Sequence, residues 1–189
     1  MAKVTKNLLV KGASGKLGDQ FVYKQRGDDT FITRLPEVDK DAEPTENQVR
    51  VRDRFGEASL FAQGANANPE LKAEYERNLP SGKTAFNAAF RDYLKAPVVI
   101  SIDVSKYAGL PGSPIVVKAK DDFRIAEVSI SIRTATGELV EVGNAVLNPI
   151  NRNKWTYTTV EDNPAYAGGS VSATARDIPG NEGRMDITL

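Results

Sequence analysis

The 189-residue chain contains no histidine and no cysteine. Without cysteine there is no disulfide, no thiolate nucleophile and no thiolate metal site, so the sequence gives no redox compartment. Without histidine the commonest general base, the usual triad partner and the imidazole metal ligand are gone, which leaves carboxylate, lysine, tyrosine or hydroxyl chemistry. Both absences point away from an enzyme. An excess of one charge is lacking as well. There are 25 basic and 25 acidic residues, split 16 to 14 before residue 97 and 9 to 11 after it. Nucleic-acid binders carry a basic surplus that neutralises phosphates, so no nucleic-acid partner is expected. Long apolar runs are missing too. The start, MAKVTKNLLVKGASG, has no apolar run longer than Leu8 to Val10. It reads as neither a cleavable signal nor a membrane anchor, and no membrane insertion is expected. That reading leaves cytoplasmic synthesis, with assembly into a particle or an extracellular structure open. No cofactor is indicated.

What the chain does have is clearest between Pro114 and Asn144. Val128, Ile130 and Ile132 alternate with Ser129, Ser131 and Arg133, which places the aliphatics on one face of a strand. Thr136-Gly137 supplies the turn of a hairpin into Leu139 and Val140. Strands are expected at about 98–104, 114–120, 125–134, 138–148, 153–160, 170–177 and 184–189. Seven short strands with Gly/Pro turns between them are the signature of a β-sandwich.

The first half is written differently. Asn7 to Val38 reads as a glycine-punctuated β-hairpin, with Phe21, Tyr23 and Gln25 on one face and Arg26-Gly27-Asp28-Asp29 as its turn. EVDKDAEP is a charged linker. Thr45 and Gln48 form a capping box that opens a helix carrying Val51, Phe55, Ala58 and Ala62, closed at Gly64 to Asn68. Asn68-Pro69 starts a short second helix. Phe86, Ala89, Phe90, Tyr93 and Leu94 mark a third, which must end before Pro97. The fold class is therefore an α+β N-terminal part, a hairpin plus two or three helices, followed by an all-β sandwich. Residues 1–96 form the hairpin and helical assembly domain and 97–189 the sandwich domain.

Few motifs carry chemistry. Gly12, Gly15 and Gly18 in LLVKGASGKLG imitate a dinucleotide-binding turn, but a strand follows where a helix should, so bends in a hairpin are the better reading. Arg26-Gly27-Asp28 matches an integrin-recognised tripeptide and equally matches what a tight turn requires. Asp121, Asp122 and Asp177 are hard-oxygen donors in loops; without EF-hand spacing they read first as solvated turn carboxylates, with calcium binding as the other reading. Trp155 and Tyr166 are the aromatic anchors if the sandwich loops hold a glycan or protein ligand. Phe21, Tyr23, Phe31 and Ile32 belong to a small hairpin whose open edge a neighbouring subunit could pair by β-augmentation.

The segments SGKLGDQFVYKQRGDDTFITRLP, TENQVRVRDRFGEASLFAQ and TAFNAAFRDYLKAPVVISIDVSKYAGLPGSPIVVKAKDDFRIAEVSISI, with WTYTT and ARDIPGN, resemble a group of uncharacterised Bacteroidota proteins that share the order hairpin, helices, sandwich. That resemblance implies fold and lineage and supplies no catalytic residues. The C-terminal half resembles bacterial immunoglobulin-like domains, which implies a spacer, an adhesion module or a decoration on a particle surface. The functional expectation is a non-enzymatic structural protein. It would self-associate, or dock with other structural proteins in a filament or virion-like particle, through the hairpin edge. The alternative is a monomeric ligand- or glycan-binding module.

Overall fold

The structure, a computed structural model, describes residues 2–4, 10–26, 28–35, 43–77, 79 and 83–189. The chain divides into two compact units, Met1–Thr45 and Glu46–Leu189. The expected boundary between residues 96 and 97 runs through the second unit, because the helices pack on one end of the sandwich.

In the first unit, β1 (Ala2–Val4), β2 (Gly15–Leu17), β3 (Phe21–Arg26) and β4 (Asp29–Arg34) form an antiparallel sheet in the order β1-β4-β3-β2. β3 and β4 are the expected hairpin, in register from Phe21 opposite Arg34 to Arg26 opposite Asp29. Gly27 of the turn lies outside the described residues. Each hairpin strand is paired again on its outer side, so the free edges belong to the three-residue strands β1 and β2.

The second unit opens with α1 (Glu46–Ala67), α2 (Pro69–Glu76) and α3 (Ala85–Leu94). Thr45 directly precedes α1, where a cap belongs. The helix continues through Gly64, which the sequence reading placed in the closing turn. Ala62 and Ala65 are buried on either side of that glycine, and packing of their face outweighs its poor helix propensity. Of the expected α1 stripe, Ala58 and Ala62 are buried, whereas Val51 and Phe55 stay exposed. Phe55 rests edge-on against Phe90 with ring centroids 4.7 Å apart. Asn68 caps α2 as expected, its Oδ1 accepting from the backbone N–H of Glu70 and Leu71. Thr84 does the same for α3 through Asn87 N–H.

The sandwich contains β5 (Val98–Asp103), β6 (Pro114–Lys120), β7 (Ile125–Arg133), β8 (Leu139–Asn144), β9 (Val146–Leu147), β10 (Lys154–Thr158), β11 (Ser170–Asp177) and β12 (Glu182–Thr188). One antiparallel sheet runs β5-β6-β10-β9 and the other β12-β11-β7-β8. The stretch expected as one strand, 138–148, is two. β8 pairs with β7 and β9 with β10, so the chain changes sheets at the buried Ala145 and closes a corner of the sandwich. Ile115, Val117, Val128, Ile130, Ile132, Val171, Ala173 and Ala175 fill the space between the sheets, as their alternation requires.

The helices meet the sandwich through named contacts. The ring of Tyr75 on α2 stacks on Phe123, in the loop between β6 and β7, at 4.3 Å. The amide of Asn181, between β11 and β12, donates to the carbonyls of Asp92 and Tyr93 at the end of α3. No helix among the described residues is long and apolar enough to cross a membrane.

Candidate functional site

Three carboxylates converge where α3 meets the sandwich. Asp92 comes from the last turn of α3, Asp121 from the loop after β6, and Asp177 from the end of β11. One oxygen from each lies within 4.8 Å of one from each of the others. Asp92 and Asp177 are buried and Asp121 is half-buried. The local sequence explains each position. Asp92 follows Ala85 and Ala89 at spacings of four and three, on the α3 face that packs inward. Asp121 terminates β6 and accepts from the N–H groups of Phe123 and Arg124 through Oδ2, the hydrogen-bonded turn that starts β7. Asp177 closes β11, where Asn181 N–H donates to Oδ1 at 2.6 Å and its side-chain amide to Oδ2 at 2.7 Å.

The electrostatics follow from this packing. Burial raises the Asp92 carboxyl to about 7, and the neighbouring charges of Asp121 and Asp177 push the same way against the Tyr75 hydrogen bond. Asp177 is raised by burial as well, with the Asn181 hydrogen bonds opposing. Tyr75 donates to Asp92 Oδ2 at 2.7 Å, and burial together with that carboxylate raises its phenol. The other Asp92 oxygen, Oδ1, and Oδ1 of Asp121 are buried without a hydrogen-bond partner.

Asp122, expected beside Asp121 in a calcium set, points elsewhere. It pairs with Arg91 at 2.7 Å and with Lys95, which hold its carboxyl below the ordinary value. Arg124 is likewise committed to Glu74 at 2.7 Å. Asp92 stands in the cluster instead of Asp122. A polar residue on an apolar helical stripe was the signal that could have singled it out.

The N-terminal residues sort by register. Phe21 and Tyr23 stand opposite Arg34 and Ile32, and Leu17 and Gly15 stand opposite Phe21 and Tyr23. Leu17, Phe21, Tyr23, Ile32 and Val4 therefore share one face, while Phe31 lies on the other with Val22 and Lys24. Leu17 is 57% and Phe21 41% exposed. Tyr23, Phe31 and Ile32 are half-buried, and Thr30 is the one buried residue among those described in this unit. Because β3 and β4 are interior strands, the hairpin offers neighbours a face rather than an edge.

Trp155 is only 6% exposed and belongs to the sandwich core, packed with Ile115, Val117 and Tyr157. Burial removes it as an open stacking platform. Tyr166 is half-buried and meets Tyr107 edge-on at 5.6 Å, and the Tyr107 hydroxyl accepts from the Asn163 amide. Trp155 thus lies on β10 in the core, and Tyr166 lies in the loop between β10 and β11. A third buried carboxylate, Glu141, accepts from Tyr157 and from the backbone N–H of Val160 and Glu161. Burial and Glu141 push the Tyr157 phenol up to about 12. At Gly12, Gly15 and Gly18 the backbone has positive φ and leads into strands, so these glycines shape turns and no helix N-terminus stands there for a pyrophosphate. Of the Arg-Gly-Asp tripeptide, Gly27 lies outside the described residues.

No protein-family model matches the chain, and no curated protein sequence does. Among solved structures, CopC from Methylosinus trichosporium OB3b is similar at 20% identity and a TM-score of 0.36, over 48% of this chain and 87% of that one. A tetra-tandem repeat from the extending region of a large adhesion protein is similar at 19% identity and a TM-score of 0.33, over 49% of this chain and 22% of that one. At these scores neither likeness bears on function.

Proposed function

We propose that this chain is a non-enzymatic structural protein that associates with further copies of itself through its N-terminal sheet. The observation that carries the reading is the composition of one face of that sheet, where Val4, Leu17, Phe21, Tyr23 and Ile32 stand together and Leu17 and Phe21 are open to solvent. A four-stranded sheet is stable when an apolar face is covered, and adjoining exposed apolar side chains, here Leu17 opposite Phe21, mark an interaction surface. Thr30, on the same face, is buried and accepts from the N–H of Gly12 at 3.0 Å, so the loop before β2 covers the inner part of the face and leaves Leu17 and Phe21 open. The short strands β1 and β2 leave a row of backbone groups at either edge, which a second copy can extend. A sequence without histidine or cysteine supports the non-enzymatic part. The burial of Trp155 speaks against the alternative, a sandwich that stacks a sugar.

The test is the size distribution of the full chain by light scattering and negative-stain electron microscopy across a concentration series. The double substitution Leu17→Lys with Phe21→Glu is compared with the parent. Oligomers that dissociate in the double variant, with the melting of the second unit unchanged, are expected. A parent chain that stays monomeric near 20.5 kDa at high concentration overturns the proposal.

A further inference from the structure

The carboxylates at the foot of α3 have more acceptor capacity than the protein satisfies. Asp92 is 1% exposed and its Oδ2 is held by Tyr75; protonated, it shares a hydrogen bond with Asp121, and ionised, its Oδ1 has no donor. Asp121 repeats the pattern, one oxygen fixed by two backbone N–H groups and the other buried and unpaired. Such orphaned acceptors are costly in a folded protein unless something donates to them or coordinates them. The nearest side-chain cations are spent, because Arg91 and Lys95 serve Asp122 and Arg124 serves Glu74.

We propose that Asp92, Asp121 and Asp177 bind one calcium ion that ties α3 to the sandwich. Calcium takes six to eight oxygen ligands at about 2.3–2.6 Å, so two oxygens on one ion stand no more than about 5 Å apart. The three carboxylate oxygens lie within 4.8 Å of one another and meet that limit. Magnesium keeps several of its waters and usually takes only one or two carboxylates, so a three-carboxylate set favours calcium. An all-oxygen donor set in a chain without histidine or cysteine selects a hard cation over zinc or copper. Every ligand is oriented by a second partner: Tyr75 for Asp92, the Phe123 and Arg124 amides for Asp121, Asn181 for Asp177. Such outer hydrogen bonds characterise built metal sites. Two clefts each border one member of the cluster. One of about 500 Å³ reaches Asp121 past Trp155 and Asn153, and one of about 490 Å³ reaches Asp92 past Tyr75 and Phe123.

The experiment is calorimetric titration of the full chain with calcium chloride after EDTA treatment and desalting, paired with thermal melts in calcium, in magnesium and in EDTA. One ion per chain and a melting temperature raised by calcium above its value in EDTA are expected. Asp121→Asn and Asp92→Asn are each expected to weaken binding at least tenfold, the level that metal-site partners reach. Asp121→Asn, at the half-buried ligand, keeps the test decisive if Asp92→Asn fails to fold. The proposal is overturned if millimolar calcium produces neither heat nor a melting shift in the parent. It is overturned equally if magnesium acts as strongly as calcium, or if binding survives both substitutions.

Discussion

The hydroxyl of Tyr75 donates to Oδ2 of Asp92 across 2.7 Å, and that contact spans two helices at the point where both meet the sandwich. Tyr75 is fully buried, and its ring stacks on Phe123 of the β6–β7 loop. The phenol therefore holds Asp92 in place with one end and the sandwich loop with the other. Tyr75→Phe keeps the stacking and removes the donor, leaving a second oxygen of a buried carboxyl unpaired. The expected loss is about 1–3 kcal/mol in urea unfolding. A double-mutant cycle with Asp92→Asn should return a coupling of about 1 kcal/mol or more, because the two groups touch. A coupling near zero would mean that the phenol acts only through its ring.

Burial sets the pH dependence of the same site. In the folded chain Asp92 is raised from 3.8 to about 7, and Asp177 is raised too. Between about pH 4 and about pH 7 the folded chain holds a proton that the unfolded chain has released. Unfolding therefore becomes easier as pH rises through that window. The contribution is complete below the unfolded value and gone above about 7. The groups facing Asp92 are Tyr75 from α2, Asp121 from the loop and Asp177 from β11, and none of the three carries a positive charge. Asp103, Asp122 and Asp186 are shifted down, so their loss of stability falls at pH below the ordinary carboxylate value and does not overlap. In EDTA, melting at pH 5 should exceed melting at pH 7.5 by several degrees. Asp92→Asn should remove most of that difference, and an unchanged pH profile in the variant would assign it to other groups.

The sandwich strands were legible because one face of each is buried and the other wet, which prints a period of two into Ile115–Ala119, Val128–Ile132 and Val171–Ala175. The sheet change at Ala145 was not legible, since alternation continues smoothly through the corner and only the pairing partners differ. Asp121 and Asp177 could be picked out as loop carboxylates. Asp92 could not be joined to them, because its partners lie 29 and 85 residues away and only tertiary packing brings them together. In the N-terminal unit the hairpin was readable from Phe21, Tyr23 and the Arg26–Asp29 turn. The flanking β1 and β2 are too short to print a period, so the sequence alone leaves the hairpin edges open where the sheet pairs them.

Depth in the core sets the next expectation. Ile130 is fully buried at the centre of β7, paired with Ala173 on one side and Gly143 on the other. Ile150, in the turn before β10, is 95% exposed. Ile130→Ala should cost about 2–5 kcal/mol through lost transfer energy and the cavity left behind. Ile150→Ala should change stability by no more than about 0.5 kcal/mol. Chemical denaturation of the two variants separates the cases, and similar losses in both would contradict the assignment of the core.

Two glycines should respond to the same substitution with opposite sign. Gly183 on β12 faces the backbone of Pro97, and a Cβ there would stand 1.9 Å from the Pro97 carbonyl oxygen. That oxygen belongs to main chain at the entry to β5 and cannot swing aside, so β12 must move away from the buried Pro97. Gly183→Ala is therefore expected to cost about 1–3 kcal/mol, the range for overpacking a close contact. Gly56 lies inside α1 with open space around its missing Cβ. There alanine only removes backbone freedom from the unfolded chain and restores helix propensity, so Gly56→Ala should stabilise by about 0.5–1 kcal/mol. Thermal melts of the two variants beside the parent decide the matter. A stabilising Gly183→Ala would show that β12 does not pass this close to Pro97, and the seam between the two sheets at that corner would have to be redrawn.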